Sequence, residues 1–475
     1  MLWSCFLGVA FLFHASLAAA ESEATEPAEA APAEAAPAEA TPPPKEPEPE
    51  ASPDPTAFHG DFSQRYRFRK SHGDIDQDLF GAISLTGEHA FASEDGKPLA
   101  SKLGFNFQGS YTWDIDSFQD PGGPGTAGFN PFFDIGNTYS ERVHGYLYEA
   151  NLEAKDFLVF ETTKVGRQSI WREENLFFDG LYARTKRWNT LTFDVYGGLP
   201  VHLYESSPSG DALGGFGIES RPIPGLSLGG NYVYLRDQRS DGPDSSDSFY
   251  LINGRYNFLR EWTVGATASW VDTRDRRQTV ELRYLSEASG FSAQFRGMRQ
   301  NGIVEFANEI SPYVIVMGDY APFYQCQLDL HQPIGEQFGI GGGTNLRQLE
   351  HPSDSGLFNH SYMNFYLSFD VAKLWEGMRL NVRGDWWESD GDDIYTAGLE
   401  LAQDISKIAT ARVGTSYSLY KFDLFTGEER ERDRVYYVKV RWHATRHLDI
   451  DTEYQYETDS DSEYHVALGG VRIWF

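Results

Sequence analysis

The chain ends in Tyr464-His465-Val466-Ala467-Leu468-Gly469-Gly470-Val471-Arg472-Ile473-Trp474-Phe475, a stretch in which two sets of side chains alternate. One set contains Ala467, Val471, Ile473 and Phe475, and the other contains Tyr464, Gly470 and Arg472. Successive side chains of a strand point to opposite faces of the sheet, so this period predicts a β-strand. A strand of a membrane barrel shows one face to lipid and the other to a lumen. The stretch therefore predicts the last strand of a transmembrane β-barrel.

The same alternation recurs from Phe62 onward, most clearly in the runs 103–115, 226–234, 250–258, 262–270, 378–386 and 448–456. Each run is near the roughly nine to eleven residues that a tilted strand needs to cross a bilayer. Short turns alternate with longer polar loops, among them 166–176, and this asymmetry is typical of outer-membrane barrels. Counting every run predicts an all-β, antiparallel, up-and-down barrel of about 22 strands, within a range of roughly 18 to 22.

The composition supports the same fold class. Aromatic residues make up 15% of the chain, and the mean hydropathy is −0.47. A helical membrane protein of this polarity is excluded, whereas a barrel places polar side chains in its lumen and loops. Tryptophans near the strand ends, such as Trp113, Trp270 and Trp442, fit the aromatic belts at the two membrane interfaces.

Three segments differ in composition. Residues 1–20 contain an apolar run followed by Ala18-Ala19-Ala20, which predicts a secretory signal peptide. Residues 21–57 consist almost entirely of Ala, Pro, Glu, Thr and Ser, and we expect a disordered linker. Residues 58–475 form the predicted barrel. This organisation predicts a protein in the outer membrane of a Gram-negative bacterium.

Cysteine usage excludes several kinds of site. Removal of the signal peptide leaves Cys326, so no internal disulfide can form. Cys326 has no Cys or His partner at ligand spacing, and no Cys-x-x-Cys-His sequence occurs. We therefore predict no metal site and no cofactor.

If apolar positions face lipid, the positions of opposite parity face the lumen. This assignment predicts a set of basic pore-lining residues, namely Arg65, Arg67, Arg69, Arg283, Arg383, Arg412, Lys439, Arg441 and Arg472. Closure of the barrel would bring those near the C-terminus beside those of the first strand. Acids that face or flank them include Glu149, Glu153, Glu281, Asp385, Glu400, Asp449, Asp451 and Glu453. The basic residues have two interpretations. They select anions in the pore, or they pair with these acids and stabilise the barrel wall, and the sequence favours both interpretations equally.

Two loops have compositions suited to narrowing a wide pore. Residues 116–142 begin with a Gly- and Pro-rich stretch and end with Phe129-Asn130-Pro131-Phe132-Phe133. Residues 300–322 contain Pro312-Tyr313-Val314-Ile315-Val316, which is too apolar for a loop that is fully exposed to water. We expect both loops to fold into the lumen, with an external cap as the alternative.

Two short sequences carry a resemblance to known porins. Lys164-Val165-Gly166-Arg167-Gln168 and Asp179-Gly180-Leu181-Tyr182-Ala183 resemble the Gly-Arg-Gln and Asp-Gly pair of alginate-export-type porins. The resemblance implies a barrel of about eighteen strands whose polar pore, with basic lumen groups, admits acidic polysaccharide.

The sequence contains no catalytic constellation of the kinds found in barrel enzymes. His351 and Ser353 lie in a polar loop, and His443 and His447 flank a turn at the opposite end from Asp392-Asp393. We therefore predict no enzymatic activity. The function that remains is a porin for small or anionic solutes, with an acidic-polysaccharide channel or a sheath for a periplasmic partner as alternatives.

The predicted partners follow from the predicted location. They are outer-membrane lipid and lipopolysaccharide, the barrel-assembly machinery through the strand that ends in Phe475, and a periplasmic protein or peptidoglycan through the linker. We expect no nucleic-acid partner.

Overall fold

The structure of the protein is a computed structural model. It describes residues 56–71, 74–91, 100–116, 142–172, 174–201, 210–237, 245–301, 322–352, 360–389, 392–422, 429–459 and 462–475. The predicted signal peptide, the predicted linker up to residue 55, and all but the ends of the two loops expected to narrow the pore lie outside these residues.

The described residues form 22 antiparallel strands. They are β1 (Thr56–Ser71), β2 (Asp74–Ala90), β3 (Lys102–Asp114), β4 (Val143–Lys155), β5 (Phe160–Arg172), β6 (Glu174–Thr185), β7 (Leu191–Pro200), β8 (Ala212–Ser220), β9 (Leu226–Asp237), β10 (Ser245–Phe258), β11 (Trp262–Val271), β12 (Arg274–Leu285), β13 (Ser292–Gln300), β14 (Phe323–Ile334), β15 (Phe338–Leu349), β16 (Tyr362–Trp375), β17 (Met378–Ser389), β18 (Asp392–Ser406), β19 (Ala409–Phe422), β20 (Glu429–Thr445), β21 (Leu448–Thr458) and β22 (Glu463–Trp474).

Each strand pairs with its neighbours in the chain, and β22 also pairs with β1, so the sheet closes into a barrel. The predicted fold class and strand number are thereby confirmed, and the number differs from the eighteen that the family resemblance implied. The first strand begins at Thr56, two residues before the predicted start of the barrel. Among the described residues, no helix is long and apolar enough to cross a membrane.

The closing seam is fixed by the two ends of the barrel. The ladder runs from Asp61 opposite Trp474 to Ser71 opposite Tyr464. Beyond it, the Gly60 amide donates to the Phe475 carbonyl at 2.9 Å, and the Phe475 amide donates to the Gly60 carbonyl at 3.0 Å. A Cβ on Gly60 would lie 2.3 Å from Cζ of Phe475. Glycine at this position therefore lets the terminal ring lie flat against β1.

The alternation of the sequence separates two faces around most of the ring. The face that carries Phe105, Phe107, Tyr454 and Ile473 exposes apolar side chains to the surroundings of the barrel, as predicted for lipid contact. The opposite face is the inner face of the closed sheet.

The inner face of β5–β11 departs from this pattern. Its inward positions carry an apolar cluster that is almost completely buried, although apolar residues were expected to face lipid. Its members are Ile170, Leu176, Phe178, Tyr196, Leu213, Val233, Leu235, Phe249, Leu251 and Val271. The corresponding strands are apolar on both faces, which is visible in continuous runs such as Leu176-Phe177-Phe178 and Phe249-Tyr250-Leu251-Ile252.

The predicted loop 166–176 is wrong, because β5 continues to Arg172 and β6 begins at Glu174. Polar residues that suggested a loop instead form hydrogen bonds between the two strands. Arg167 donates to both carboxylate oxygens of Asp179, from Nε at 2.8 Å and from Nη2 at 2.7 Å. The buried Gln168 amide donates to the Gly180 carbonyl at 3.1 Å. The Gly-Arg-Gln and Asp-Gly pair thus joins β5 to β6.

Gly166 lies where β5 separates from β4. Among the described residues, the β4–β5 ladder runs only from Ala150 opposite Arg167 to Lys155 opposite Thr162. Gly166 has a φ of 117°, and a Cβ there would lie 2.3 Å from the carbonyl oxygen of Ala150. Only glycine adopts this conformation readily. Gly166 therefore lets β5 separate from β4 while it stays paired with β6.

We predict that Phe107→Arg destabilises the barrel by about 2–4 kcal/mol, because it places a charge on the lipid face of β3. The free energy of unfolding in lipid vesicles measures the loss. Gln108→Arg, one residue along on the inner face, is the matched control and should be close to neutral. Equal losses in the two variants would contradict the assignment of the faces.

We also predict that Gly166→Ala lowers the free energy of unfolding by about 1–3 kcal/mol, because the methyl group would be strained in this backbone conformation and would press on Ala150. The control is Gly145→Ala on β4, where a Cβ would meet nothing within 4 Å. If both variants unfold at the same denaturant concentration, Gly166 has no special role.

Candidate functional site

The barrel places all nine predicted pore-lining residues on the inner face. Seven of them, Arg65, Arg67, Arg69, Arg412, Lys439, Arg441 and Arg472, lie on strands that are neighbours in the closed ring, β19–β22 and β1. Arg383 lies on β17, two strands from β19, and Arg283 lies apart on β12. We call the inner face of β17–β22 with β1 and β2 the charged wall.

At β1 and β2 two basic residues of the charged wall, Arg67 and Arg69, are paired with buried acids. Arg67 donates to Oδ2 of Asp78 from Nε at 3.0 Å and from Nη2 at 2.6 Å. Arg69 donates from Nε to Oδ2 of Asp76 at 2.6 Å. Both acids are less than 5% exposed. Sequence reasoning missed them, although the register of the β1–β2 pair sets Arg69 opposite Asp76 and Arg67 opposite Asp78.

Further round the charged wall, most basic groups also lie near an acid. Lys439 is 3.0 Å from Glu453, and Arg412 is 3.7 Å from Glu400. Arg383 pairs with Asp385 at 2.9 Å, and Arg472 pairs with Asp61 at 2.6 Å across the closing seam. Asp61 was not anticipated from the sequence. The wall is therefore mainly a ladder of ion pairs, and these pairs contribute little net charge to the lumen.

Arg65 and Arg441 interrupt this ladder. Both side chains are exposed, and neither forms an ion pair within the described residues. The register explains Arg65, which lies opposite Phe80 on β2 and opposite Gly470 on β22. Arg441 lies opposite Asp451, but the Asp451 carboxylate leans over Gly470, where a Cβ would meet its Oδ1 at 2.5 Å. One acid thus stands between two exposed guanidinium groups.

This arrangement leaves local positive charge in one cross-strand row. Two guanidinium groups and one carboxylate give a surplus of one positive charge, and the groups are open to water. An exposed guanidinium offers several donors in a fixed plane, a geometry that suits carboxylate and phosphate groups. The row of Arg65, Gly470, Asp451 and Arg441 is therefore the part of the charged wall best suited to bind or attract an anion.

A second group of charges on the inner face was not foreseen. Glu88 on β2 accepts hydrogen bonds from the ammonium groups of Lys102 on β3 and Lys155 on β4, the latter at 3.0 Å. Lys102 is the first residue of β3 and Lys155 the last of β4. The alternation of the sequence is weak at strand ends, so it did not predict that these side chains point inward. They extend the charged surface to β3 and β4.

No group of three or more His, Cys, Asp or Glu side chains that could hold a metal ion occurs among the described residues. Cys326 lies partly buried on β14.

Comparisons with known proteins give structural similarities only. No family model matches the chain, and no similar sequence is found among curated proteins. Among solved structures, the chain is similar to the outer membrane protein opdK from Pseudomonas aeruginosa, at 9% identity and a TM-score of 0.40, covering 88% of this chain and 99% of that one.

Two further similarities are of the same kind. Acinetobacter baumannii OccAB4 has 11% identity, a TM-score of 0.43, and coverage of 89% of this chain and 98% of that one. Pseudomonas aeruginosa OccK2 (OpdF) in complex with glucuronate has 10% identity, a TM-score of 0.40, and coverage of 88% and 98%. These findings give no support to the alginate-export resemblance.

Proposed function

We propose that the protein is an outer-membrane porin through which small solutes diffuse, with a preference for anions. The observation that carries the proposal is the closed antiparallel barrel with apolar side chains outside and a charged wall inside. Closure pairs the backbone groups of both end strands, as a bilayer requires. The outer membrane of a Gram-negative bacterium is the compartment in which this architecture functions.

Exposed charge on the inner face supports a water-filled lumen. Arg383, Arg412 and Arg472 remain 56%, 47% and 61% exposed even though each lies near an acid. Charged groups without water lose several kcal/mol of solvation, and partial pairing does not compensate for such a loss. The charged wall is therefore built for contact with water, which a solute pathway requires.

The preference for anions rests on local charge. The chain carries a net charge of −30, of which the segment 21–57 and the predicted loops hold a large part. At physiological ionic strength, exposed charges are screened beyond about 8 Å. Arg65 and Arg441 act on a solute that passes close to them, so their positive charge outweighs the distant acids.

The proposed partners follow from the location in the outer membrane. Lipid covers the apolar outer face, lipopolysaccharide surrounds the outer rim, and the assembly machinery recognises the final strand. The linker before β1 tethers the barrel to a periplasmic partner or to peptidoglycan. An acidic polysaccharide as the solute rests on the sequence resemblance alone, and we do not favour it.

We predict that the purified protein, inserted into planar lipid bilayers, produces stable ion-conducting steps, because the charged side chains of its wall are exposed to water. Heat-denatured protein in the same detergent is the control. A folded barrel that inserts without conducting would contradict the porin and would favour a sheath around a periplasmic partner.

We predict that the double variant Arg65→Gln, Arg441→Gln lowers the anion-to-cation permeability ratio of the pore. In a salt gradient, the reversal potential then shifts toward the value of a cation-selective pore. A unit charge about 4 Å from an ion in water contributes about 1 kcal/mol, equivalent to roughly a fivefold change in the anion-to-cation permeability ratio. The control is Arg446→Gln in the exposed β20–β21 turn, which should leave the reversal potential unchanged. An unchanged potential in the double variant would mean that these arginines do not set selectivity.

A further inference from the structure

A row of three glycines crosses β5, β6 and β7 on the inner face of the sheet. Gly166 lies opposite Gly180, and Gly180 lies opposite Gly198. A Cβ on Gly180 would lie 2.1 Å from the carbonyl oxygen of Gly197. One on Gly198 would lie 2.2 Å from the carbonyl oxygen of Asp179. Cβ atoms of a regular sheet point away from the neighbouring backbone, so the sheet is folded sharply toward the lumen along this row, which we call the glycine crease.

An ion pair shows how far the sheet folds. Arg172 lies six residues beyond the glycine crease along β5, and Asp194 lies four residues before it along β7. In a flat sheet, at about 3.3 Å per residue, these positions would be roughly 30 Å apart along the strands. Instead, Nη2 of Arg172 donates to Oδ2 of Asp194 at 2.6 Å, and the two side chains are 17% and 8% exposed. The end of the β5–β6 hairpin, residues 167–172 and 174–179, therefore folds back over the inner face of the wall. We call these residues the hairpin tip.

The hairpin tip packs on the apolar part of the inner face. Ile170, Leu176 and Phe178 of the tip belong to one buried cluster with apolar side chains of β7–β11. The rings of Phe178 and Tyr196 are 6.0 Å apart, although the two residues lie on opposite sides of the glycine crease. Burial of apolar surface from both sides stabilises the folded position of the tip. The apolar inner face of these strands is thus the surface on which the tip rests.

The other face of the hairpin tip contacts β4. Ser169 lies opposite Phe177, on the face of β5 that exposes Val165 to the outside. The Ser169 hydroxyl nevertheless donates to Oε1 of Glu149, on the inner face of β4, at 2.9 Å. The Phe177 ring lies 6.3 Å from the ring of Tyr148 on the same strand. Residues of an outer face reach the inner face of β4 only because the tip lies inside the line of the wall.

The hairpin tip is joined to its neighbouring strands by few backbone pairs. Among the described residues, the β4–β5 ladder ends at Ala150 and Arg167, and the β6–β7 ladder ends at Phe178 and Pro200. Beyond these points β4 continues with β3, and β5 continues with β6. The tip can therefore move as an intact hairpin, and an outward movement brings β5 back beside β4.

We propose that the hairpin tip is a hinged gate of the pore. In the folded position it fills part of the lumen and narrows the pathway. In the raised position it stands in the wall between β4 and β7, and the lumen is wider. The glycine crease is the hinge, as small residues often are in such movements. The ion pair of Arg172 with Asp194 is one latch, and the hydrogen bond of Ser169 is the other. The gate rests on the proposed porin function, because it regulates the pathway of that pore.

The first test locks the hairpin tip in the folded position. The variant Glu149→Cys, Ser169→Cys also carries Cys326→Ser, which removes the native thiol of the barrel. It is joined by a short methanethiosulfonate cross-linker and recorded in planar lipid bilayers. We expect the uncross-linked protein to show two conductance levels and the cross-linked protein to lose the upper one, which a reductant restores.

The control for the lock is a pair in a continuous ladder. Asn257 lies opposite Thr263 on β10 and β11, and their side chains form a hydrogen bond at 2.8 Å. Cross-linking Asn257→Cys to Thr263→Cys, again with Cys326→Ser, should leave both conductance levels. An upper level that persists after Glu149→Cys and Ser169→Cys are joined would overturn the gate.

Two variants should act in the opposite direction. Arg172→Gln should raise the ratio of upper to lower level at least about tenfold, because the folded position would bury Asp194 without its partner. Gly180→Ala should raise the same ratio, because its methyl group would clash with the Gly197 backbone in the glycine crease. The control is Gly214→Ala on β8, where a Cβ would meet nothing closer than 4.0 Å. Heat-dependent gel mobility checks that each barrel has folded, and an unchanged ratio in folded Arg172→Gln or Gly180→Ala protein would overturn the gate.

The yield of cross-linked protein separates the gate from the proposed function. A barrel that does not conduct would refute the porin, and the hairpin movement is then judged on gels. There, Arg172→Gln should lower the yield of the cross-link between Glu149→Cys and Ser169→Cys, and an unchanged yield would refute the movement. Conduction at a single level that neither the cross-link nor Arg172→Gln alters would leave the porin intact and would refute the gate.

Discussion

The pairing of the first strand with the last is the constraint on which the rest of the structure depends. A strand edge exposed in hydrocarbon would leave a row of backbone donors and acceptors without partners, at several kcal/mol for each group. The β1–β22 ladder removes both edges, and the two hydrogen bonds between Gly60 and Phe475 complete it at one end. Once the ring is closed, every strand has one face outside and one inside, so the same alternation becomes a division between lipid and lumen.

Closure also determines which charges meet. Asp61 and Arg472 are far apart in the chain, and their contact at 2.6 Å exists because the seam joins β1 to β22. The pairs of the charged wall hold the inner face together without creating a strong field. Anion selectivity then depends on basic residues of the charged wall that have no acid opposite them. Arg65 is such a residue, because Phe80 and Gly470 lie opposite it.

Glycine has a recurrent role in this barrel, since it lets a neighbouring side chain lie across the sheet. Phe475 lies over Gly60, Tyr366 over Gly343, and the Asp451 carboxylate over Gly470. In each case a Cβ would approach the neighbouring group within 3 Å. The space left by each glycine determines where the neighbouring group lies. The Phe475 ring lies at the seam, the Tyr366 hydroxyl reaches Asp329, and the Asp451 carboxylate points away from Arg441.

The sequence by itself determined the class of fold, the number of strands and the face on which most residues lie, because alternation with a period of two is a local property. It also identified nine basic residues of the inner face and several of their acidic neighbours, but not Lys102 and Lys155. It misread residues 166–176 as a loop, since the polarity of Arg167 and Gln168 carries no sign of the groups on β6 to which they donate hydrogen bonds. Only the tertiary structure decided which acid pairs with which base, where the inner face is apolar, and where glycines let the sheet fold inward. Those outcomes depend on the register of neighbouring strands, and a shift of one residue would exchange every inward side chain for an outward one.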